Sequence, residues 1–382
     1  MNNKKVLIVT HHYLNGNGGG VFASRAYINA FAELYADVTL LYPAKEGHPI
    51  EHVNSKVKAI PVRYDVPKIA KLWHVLIGKS HRYLDVFEKT LTKDNYDTVV
   101  FDTSNVTWKL IDIAHKHHAK VITIHHNFQM EYDRDNNNAL LKPFILHWTK
   151  CRERESVLKS DLNLTITKQD KELLQTFYDR ESKSRIEVLG CFEYEESTYR
   201  IINEDYSSKS NSNFVITGNL SAVQTEKSLL PWLNDYYPIL KELVPNATMT
   251  IAGKNPSAHL ITLCRGLGIT IIPSPESMTP IMEKADYYIC PTCLGGGLKL
   301  RIMDGLKWGL PVITHAVSAR GYDPFKESGC MFSYTDKESF RHSLLTLFKQ
   351  TTSKQEIYDN YLRCFSFKAG VNRVKTILNT LE

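Results

Sequence analysis

Short runs of strand-forming residues alternate with helix-period segments along nearly the whole chain, and that alternation leaves few folds open. Val6–Thr10, Val38–Tyr42, Val57–Val62, Thr98–Phe101, Val121–Ile124, Leu162–Ile166 and Ile186–Leu189 read as strands, with helices such as Phe22–Leu34 and Asn105–His117 between them. A second series follows, with strands at Phe214–Thr217, Thr248–Ala252, Thr270–Ile272, Tyr287–Cys290 and Val312–Thr314. Its helices are expected near Glu226–Leu243, Ala258–Leu267, Thr279–Lys284 and Leu298–Trp308, and from about Glu338 the pattern is helical to Leu381. Strands separated by crossover helices pair in parallel, so the expectation is α/β with two Rossmann-like domains. The 382 residues suffice for two domains of ordinary size. The expected boundaries are 1–192 and 213–355, joined by a polar linker over 193–212 that contains Ser207-Ser208-Lys209-Ser210-Asn211-Ser212.

Composition excludes several classes. The chain is 43% hydrophobic and 23% charged. No apolar run approaches the roughly 18–20 residues that span a bilayer, and Lys4-Lys5 leads directly into a strand, so neither a transmembrane helix nor a signal peptide is expected. Seven dispersed cysteines do not make a disulfide scaffold, and the expected setting is a reducing cytoplasm. Cys290-Pro-Thr-Cys293 matches half of a zinc motif but lacks a second cluster. A net charge of +6 with no zinc-finger spacing gives no reason to expect nucleic acid. The positive charge is concentrated over 56–93, where cations interleave with Leu72, Trp73, Leu76 and Ile77. Such a stretch suits peripheral contact with the inner face of an anionic membrane, or a lipid-linked acceptor bearing phosphate; a core-packing helix with a solvated basic face is the plainer alternative.

The most specific stretch runs Cys290-Pro-Thr-Cys-Leu-Gly295-Gly296-Gly297-Leu298-Lys299-Leu-Arg301-Ile-Met-Asp304, continuing to Gly309-Leu-Pro311-Val312. A buried strand, a glycine turn and then a helix gather free amides and a positive helix end at one point, which suits a diphosphate. Lys299 is expected in the first helical turn as a point charge, and Asp304 near the same mouth, where it can accept from ribose hydroxyls. In the first half, Gly18, Gly19 and Gly20 occupy the first strand-to-helix turn, and His125, His126 and Asn127 end a strand. A nicotinamide fingerprint does not fit, because Val21 stands where its third glycine belongs and Leu41-Tyr42-Pro43 offers no carboxylate.

This order of residues resembles the donor-site signature of the family-4 type retaining glycosyltransferases, in the superfamily of glycosyl transferases group 1. Pro291, Gly295–Gly297, Lys299 with Arg301, Asp304, and Gly309 with Pro311-Val312 fall where that family carries equivalent residues. Thr217-Gly218-Asn219-Leu220 with Lys227, Thr250-Ile-Ala-Gly253, and Ile272-Pro273 through Asp286-Tyr-Tyr-Ile extend the likeness over the second half. Two positions depart from it. Gly296 stands where many members have a first glutamate, with the second shortened to Asp304, and Asn219 replaces the usual arginine.

The resemblance implies a GT-B architecture: two domains facing across a cleft, with C-terminal helices, about 366–382, returning to the first. It implies a retaining, metal-independent enzyme that takes a nucleoside-diphosphate sugar, UDP-sugar favoured, as substrate and uses no cofactor. The acceptor would be a saccharide or a lipid-linked group, and surface polysaccharide synthesis the setting. The implied catalytic residues are His126, Gly296 and Lys299; Gly295, Gly297, Leu298, Lys299, Lys227 and Asn219 would hold the diphosphate. Asp304 would hold the ribose, Pro273, Ser274 and Met278 the base, and Gly18, Gly19, Gly20, His125 and Asn127 would line the sugar and acceptor side. The missing glutamate and arginine leave open a non-catalytic nucleotide-sugar binding subunit, and similar architecture leaves open an epimerase.

Overall fold

A computed structural model describes residues 3–16, 18–45, 47–65, 67–77, 82–137, 140–202 and 212–381. Asn17, Lys79 of the basic stretch and 203–211 of the expected linker lie outside the described residues. The chain forms two compact units, one of Met1–Ser197 with Phe365–Glu382 and one of Thr198–Cys364.

The first unit is built on a seven-stranded parallel sheet. Its strands are β1 (Lys5–Thr10), β2 (Asp37–Ala44), β3 (Val57–Arg63), β4 (Thr98–Asp102), β5 (Lys120–His125), β6 (Leu162–Thr165) and β7 (Ile186–Val188), in the spatial order β3-β2-β1-β4-β5-β6-β7. The central strands are rich in Val, Ile and Leu and are buried along nearly their whole length, as a sheet covered by helices on both faces requires. On one face Leu7, Val9, Val99, Phe101 and Val121 pack against Phe87, Leu91, Leu110 and Ile111.

The chain's last helix, Phe367–Asn379, belongs to this unit. Ser366 caps it by accepting from Ala369 N, and Arg373 reaches the Cys191 carbonyl at 3.2 Å. Arg185 donates to the Thr380 carbonyl and Lys120 to that of Leu381, both at 2.6 Å. The last helix thus returns to the first unit, as the resemblance implied for the C-terminal segment.

The second unit carries a six-stranded parallel sheet, ordered β10-β9-β8-β11-β12-β13. The strands are β8 (Asn213–Asn219), β9 (Thr248–Lys254), β10 (Thr270–Pro273), β11 (Tyr287–Cys290), β12 (Val312–His315) and β13 (Met331–Tyr334). Phe214, Ile216, Ile251, Ile289 and Ile313 pack against Leu229, Trp232, Leu233 and Phe340. Three details differ from the sequence reading. β13 was not anticipated: Met331-Phe-Ser-Tyr334 is short and lacks clean alternation, and pairing with β12 makes it a strand. The expected helix over Glu226–Leu243 is two helices, Val223–Asp235 and Tyr237–Leu243, because Pro238 has no N–H to continue the ladder. The helix expected from Leu298 begins at Arg301 and runs to Lys307.

Each sheet has one point at which the strand order reverses, between β1 and β4 in the first unit and between β8 and β11 in the second. In open parallel sheets the crevice beyond the strand carboxyl ends at such a point is where ligands bind. Among the described residues no helix is long and apolar enough to cross a membrane.

Candidate active site

At the switch point of the second unit, the ends of β8 and β11 bring together Gly218, Asn219, Thr292 and the glycine turn. Gly295 and Gly297 hold φ of +80° and +66°, the left-handed region that glycine alone adopts without strain. A Cβ on Gly295 would stand 2.6 Å from the Gln224 amide, so the turn is moulded onto the helix Val223–Asp235. Because the following helix starts only at Arg301, Lys299 is not in its first turn. Its ammonium folds back instead, donating to the carbonyls of Gly296 at 2.9 Å and Gly295 at 3.1 Å. The Lys299 charge is thereby fixed at the turn while the turn's own acceptors are satisfied.

Arg301 has a place in the donor-site signature beside Lys299 but no role assigned from the sequence. Its guanidinium donates to Thr225 Oγ1 at 2.8 Å and to Thr292 Oγ1 at 3.3 Å, and its Cζ lies 3.1 Å from where a Cβ of Gly218 would be. Gly218, at φ +140°, is therefore the residue that admits the guanidinium beneath β8. Both partners are neutral hydroxyls; among the described residues no carboxylate stands within ion-pair distance of Arg301. A planar cation at a strand end, positioned but not neutralised, is matched to an anionic ligand.

The other expected donor residues lie on several elements of the second unit. Asp304 is exposed, in the first turn of the helix Arg301–Lys307. Lys227 is exposed on the helix Val223–Asp235. Asn219 accepts from Ser221 N at 3.2 Å and Ser221 Oγ at 2.9 Å, which commits its carbonyl oxygen to its own turn. Pro273 and Ser274 are exposed beyond β10; Ser274 N donates to Gly253 O at 2.7 Å, and Met278 precedes the short helix Thr279–Met282. Leu298 is half-buried after the turn.

In the first unit the ends of β1, β4 and β5 and the start of the helix Gly19–Leu34 enclose a buried carboxylate, Asp102, 1% exposed. It accepts from Thr10 Oγ1 at 2.6 Å, from the Ser24 hydroxyl, and from His126 Nε2 at 2.5 Å. Burial works against its charge, but the His126 and His12 rings with their hydrogen bonds outweigh that and hold the carboxyl well below the usual range. His12 Nδ1 stands 2.8 Å from Ser24 Oγ; the serine's one proton has two acceptors, Asp102 and the Gly20 carbonyl at 2.9 Å, so the imidazole is the donor. A Cβ on Gly20 would fall 2.5 Å from the His12 ring, so Gly20 is the opening that seats this imidazole. Gly18 caps the helix from an extended conformation, and Gly19 begins it. Arg25 braces the preceding loop by donating to the Leu14 and Gly16 carbonyls.

Of the strand-end histidines, only His126 joins this cluster. His125 faces the interior, 2% exposed and 3.0 Å from Asn163 Oδ1, and burial lowers its pKa to about 4. Alternation along β5 turns one neighbour inward and the other to the crevice, so the expected place of His125 at the sugar side is corrected. Asn127 follows, with its Oδ1 buried and unpartnered. The ligand atoms of His12, Asp102 and His126 lie within 4.8 Å of one another, the one group among the described residues with the donor set for a metal ion. Asp102 already accepts from Thr10, Ser24 and His126, and an ion would have to displace those donors. Sequence reading missed His12, Ser24 and Asp102; the available signal was a polar residue at the carboxyl end of an otherwise apolar strand.

Two parallel α/β units, the first closed by the C-terminal helix, are the GT-B architecture. Residues 211–350 match the family model described as "Glycosyl transferases group 1". A protein of Klebsiella pneumoniae described as "Uncharacterized 44.6 kDa protein in cps region" is 23% identical over 316 residues, covering 78% of this chain and 72% of that protein. Sucrose-phosphate synthase from Thermosynechococcus elongatus matches with a TM-score of 0.68 at 11% identity over 99% of both chains. The lipopolysaccharide outer core galactosyltransferase WaaB matches with a TM-score of 0.68 at 11% identity over 98% of this chain and 99% of that one. Anabaena HepE, solved with UDP and glucose, matches with a TM-score of 0.61 at 11% identity over 99% of this chain and 100% of that one. The structures show the fold, and the family match over the second unit supports a glycosyltransferase.

Proposed function

We propose that this chain is a retaining glycosyltransferase that moves a sugar from a nucleoside-diphosphate sugar, UDP-sugar favoured, to a saccharide or lipid-linked acceptor. Surface polysaccharide synthesis is the proposed setting, with which the relative from a cps region is consistent. The reading rests on one observation above others: Arg301 stands unneutralised at the switch point of the sheet that the family model matches. Lys299 adds charge at the same glycine turn, and Lys227, exposed on the helix Val223–Asp235, is proposed to reach the diphosphate from there. As the glycosidic bond breaks, charge grows on the leaving diphosphate, and fixed cations stabilise that state more than the ground state. In this proposal the cations do so without a divalent ion, Asp304 accepts from the ribose, and Pro273, Ser274 and Met278 border the base. His126, held through Nε2 by Asp102, orients the sugar, and the acceptor hydroxyl attacks from the face the diphosphate leaves, its proton passing to the departing phosphate oxygen.

The test is UDP binding by calorimetry, with release of UDP from a panel of UDP-sugars. Lys299→Ala and Arg301→Ala are each expected to weaken UDP at least about tenfold, the scale of one charge-assisted hydrogen bond. Wild-type affinity in both variants would overturn the donor-site assignment. Anomeric configuration of the product, read by NMR, decides whether transfer is retaining.

A further inference from the structure

A cavity of about 400 Å³ in the first unit plays no part in the site described so far. It lies between the helices Lys68–Ile77 and Lys142–Lys159, and its inner wall is His11, the residue that follows β1. Lys71, Arg82 and Arg152 face it, and among the described residues Asp133 is the sole carboxylate on its wall. Asp133 forms no ion pair with them among the described residues and can offset only one of the three charges. Its Oδ2 accepts from Thr149 Oγ1 at 2.5 Å and its Oδ1 from Gln129 Nε2 at 3.0 Å, both neutral donors.

Arg152 is the central group. Among the described residues only its Nε is engaged, with the Trp148 carbonyl of its own helix at 3.3 Å, so both terminal nitrogens keep their donors there. Burial disfavours its charge while Asp133 favours it, yet a guanidinium stays charged in any protein environment. Arg152 is half-buried, and a partly desolvated guanidinium with open terminal donors is matched to an anionic ligand. Beside it, His11 Nδ1 is buried with no partner, and burial lowers the His11 pKa to about 3, which leaves a neutral ring able to take part in a hydrogen bond. The three cations less one carboxylate leave two positive charges, the complement of a phosphoryl dianion.

The cavity is placed to serve the transfer. His11 and His12 have ring centroids 4.0 Å apart, so the cavity adjoins the Asp102 cluster. On the outside, the helix Lys68–Ile77 buries no residue and exposes Ile69, Leu72 and Trp73, while Trp148 Nε1 ties it to the longer helix through the Leu76 carbonyl at 3.2 Å. We infer that this cavity binds a phosphoryl group of the acceptor, with Arg152 and Lys71 as its principal ligands. The inference rests on the sugar-transfer reading for the word acceptor; the anion site itself does not depend on it.

The experiment uses the full chain saturated with UDP, so that the second unit is blocked. Glucose 1-phosphate and glucose are titrated by calorimetry, and phosphatidylcholine vesicles with and without farnesyl phosphate are co-sedimented with the protein. Glucose 1-phosphate or the farnesyl phosphate vesicles should bind where glucose or plain vesicles do not; the first result marks a soluble saccharide phosphate, the second a lipid-borne one. Lys71→Ala and Arg152→Gln should each weaken that binding at least about tenfold while UDP affinity stays at the wild-type value. Should Arg152→Gln fail to fold, Lys71→Ala decides alone, since Lys71 is exposed. Wild-type binding in the variants, or equal binding of glucose and glucose 1-phosphate, overturns the inference. Failure of UDP to bind would strike the donor reading instead and leaves the phosphate arm readable on its own.

Discussion

At Asp102 a single carboxylate gathers Thr10, Ser24 and His126 from positions 92, 78 and 24 residues away along the chain. Asparagine in its place keeps the shape but loses the charge, and it presents a donor where an acceptor is needed. Asp102→Asn is therefore expected to lower kcat by about 10- to 100-fold, the cost of a hydrogen bond to a charged group, with UDP affinity unchanged because the proposed donor site is in the second unit. A variant with full turnover, or one that loses UDP binding as well, would remove Asp102 from the role of holding His126. His126 was legible in the sequence as a strand-end histidine beside a β-branched run. Asp102 was not, being one of 41 acids in a pattern that reads simply as the end of a strand.

The helix Phe367–Asn379 shows how little space an element leaves once seated. A Cβ on Gly370 would lie 2.1 Å from the Phe192 ring, so this helix approaches the first unit closely enough that only hydrogen fits. Gly370→Ala raises helix propensity but overpacks the contact, and the second effect is larger. The expected result is a loss of about 1–3 kcal/mol, read as a lower urea midpoint with unchanged slope. The same scale explains the shortened helix after the glycine turn. Periodicity from Leu298 onward reads as helical, yet Lys299 is drawn back by the carbonyls of Gly295 and Gly296, and the first regular turn waits for Arg301.

Across the whole molecule, buried titrating groups make stability depend on pH in both directions. Burial holds His11 and His125 neutral, with pKa values of about 3 and about 4 against 6.5. Their contribution is complete above pH 6.5 and is lost as the pH falls from there through those folded values. Burial acts oppositely on Glu153, raising its pKa to about 8, although the backbone N–H of Gln129 and the Tyr178 hydroxyl both bond to it. That contribution is complete below 4.5 and is lost as the pH rises to about 8. Glu153→Gln keeps an acceptor and a donor without the titration. Its stability relative to wild type should rise from about pH 5 to about pH 8 by on the order of 4 kcal/mol, measured from urea midpoints at both values. A constant difference across that range would show that Glu153 does not titrate there.

The amino-acid sequence by itself determined most of the elements, because strand and helix periods are local: Val6–Thr10 or Thr248–Ala252 needs only its own residues to declare a strand, whereas β13 needed its neighbour. The glycine turn was local too, a run of three residues that few structures other than a tight bend require. The tertiary structure decided which side chains meet. Parallel order sets β1 beside β4 and β8 beside β11, so strand ends from distant parts of the chain converge, and the clusters at Asp102 and Arg301 exist only after that pairing. It decided equally that His125 turns inward and His126 outward, since the face a strand residue takes depends on what the sheet packs against rather than on the residue.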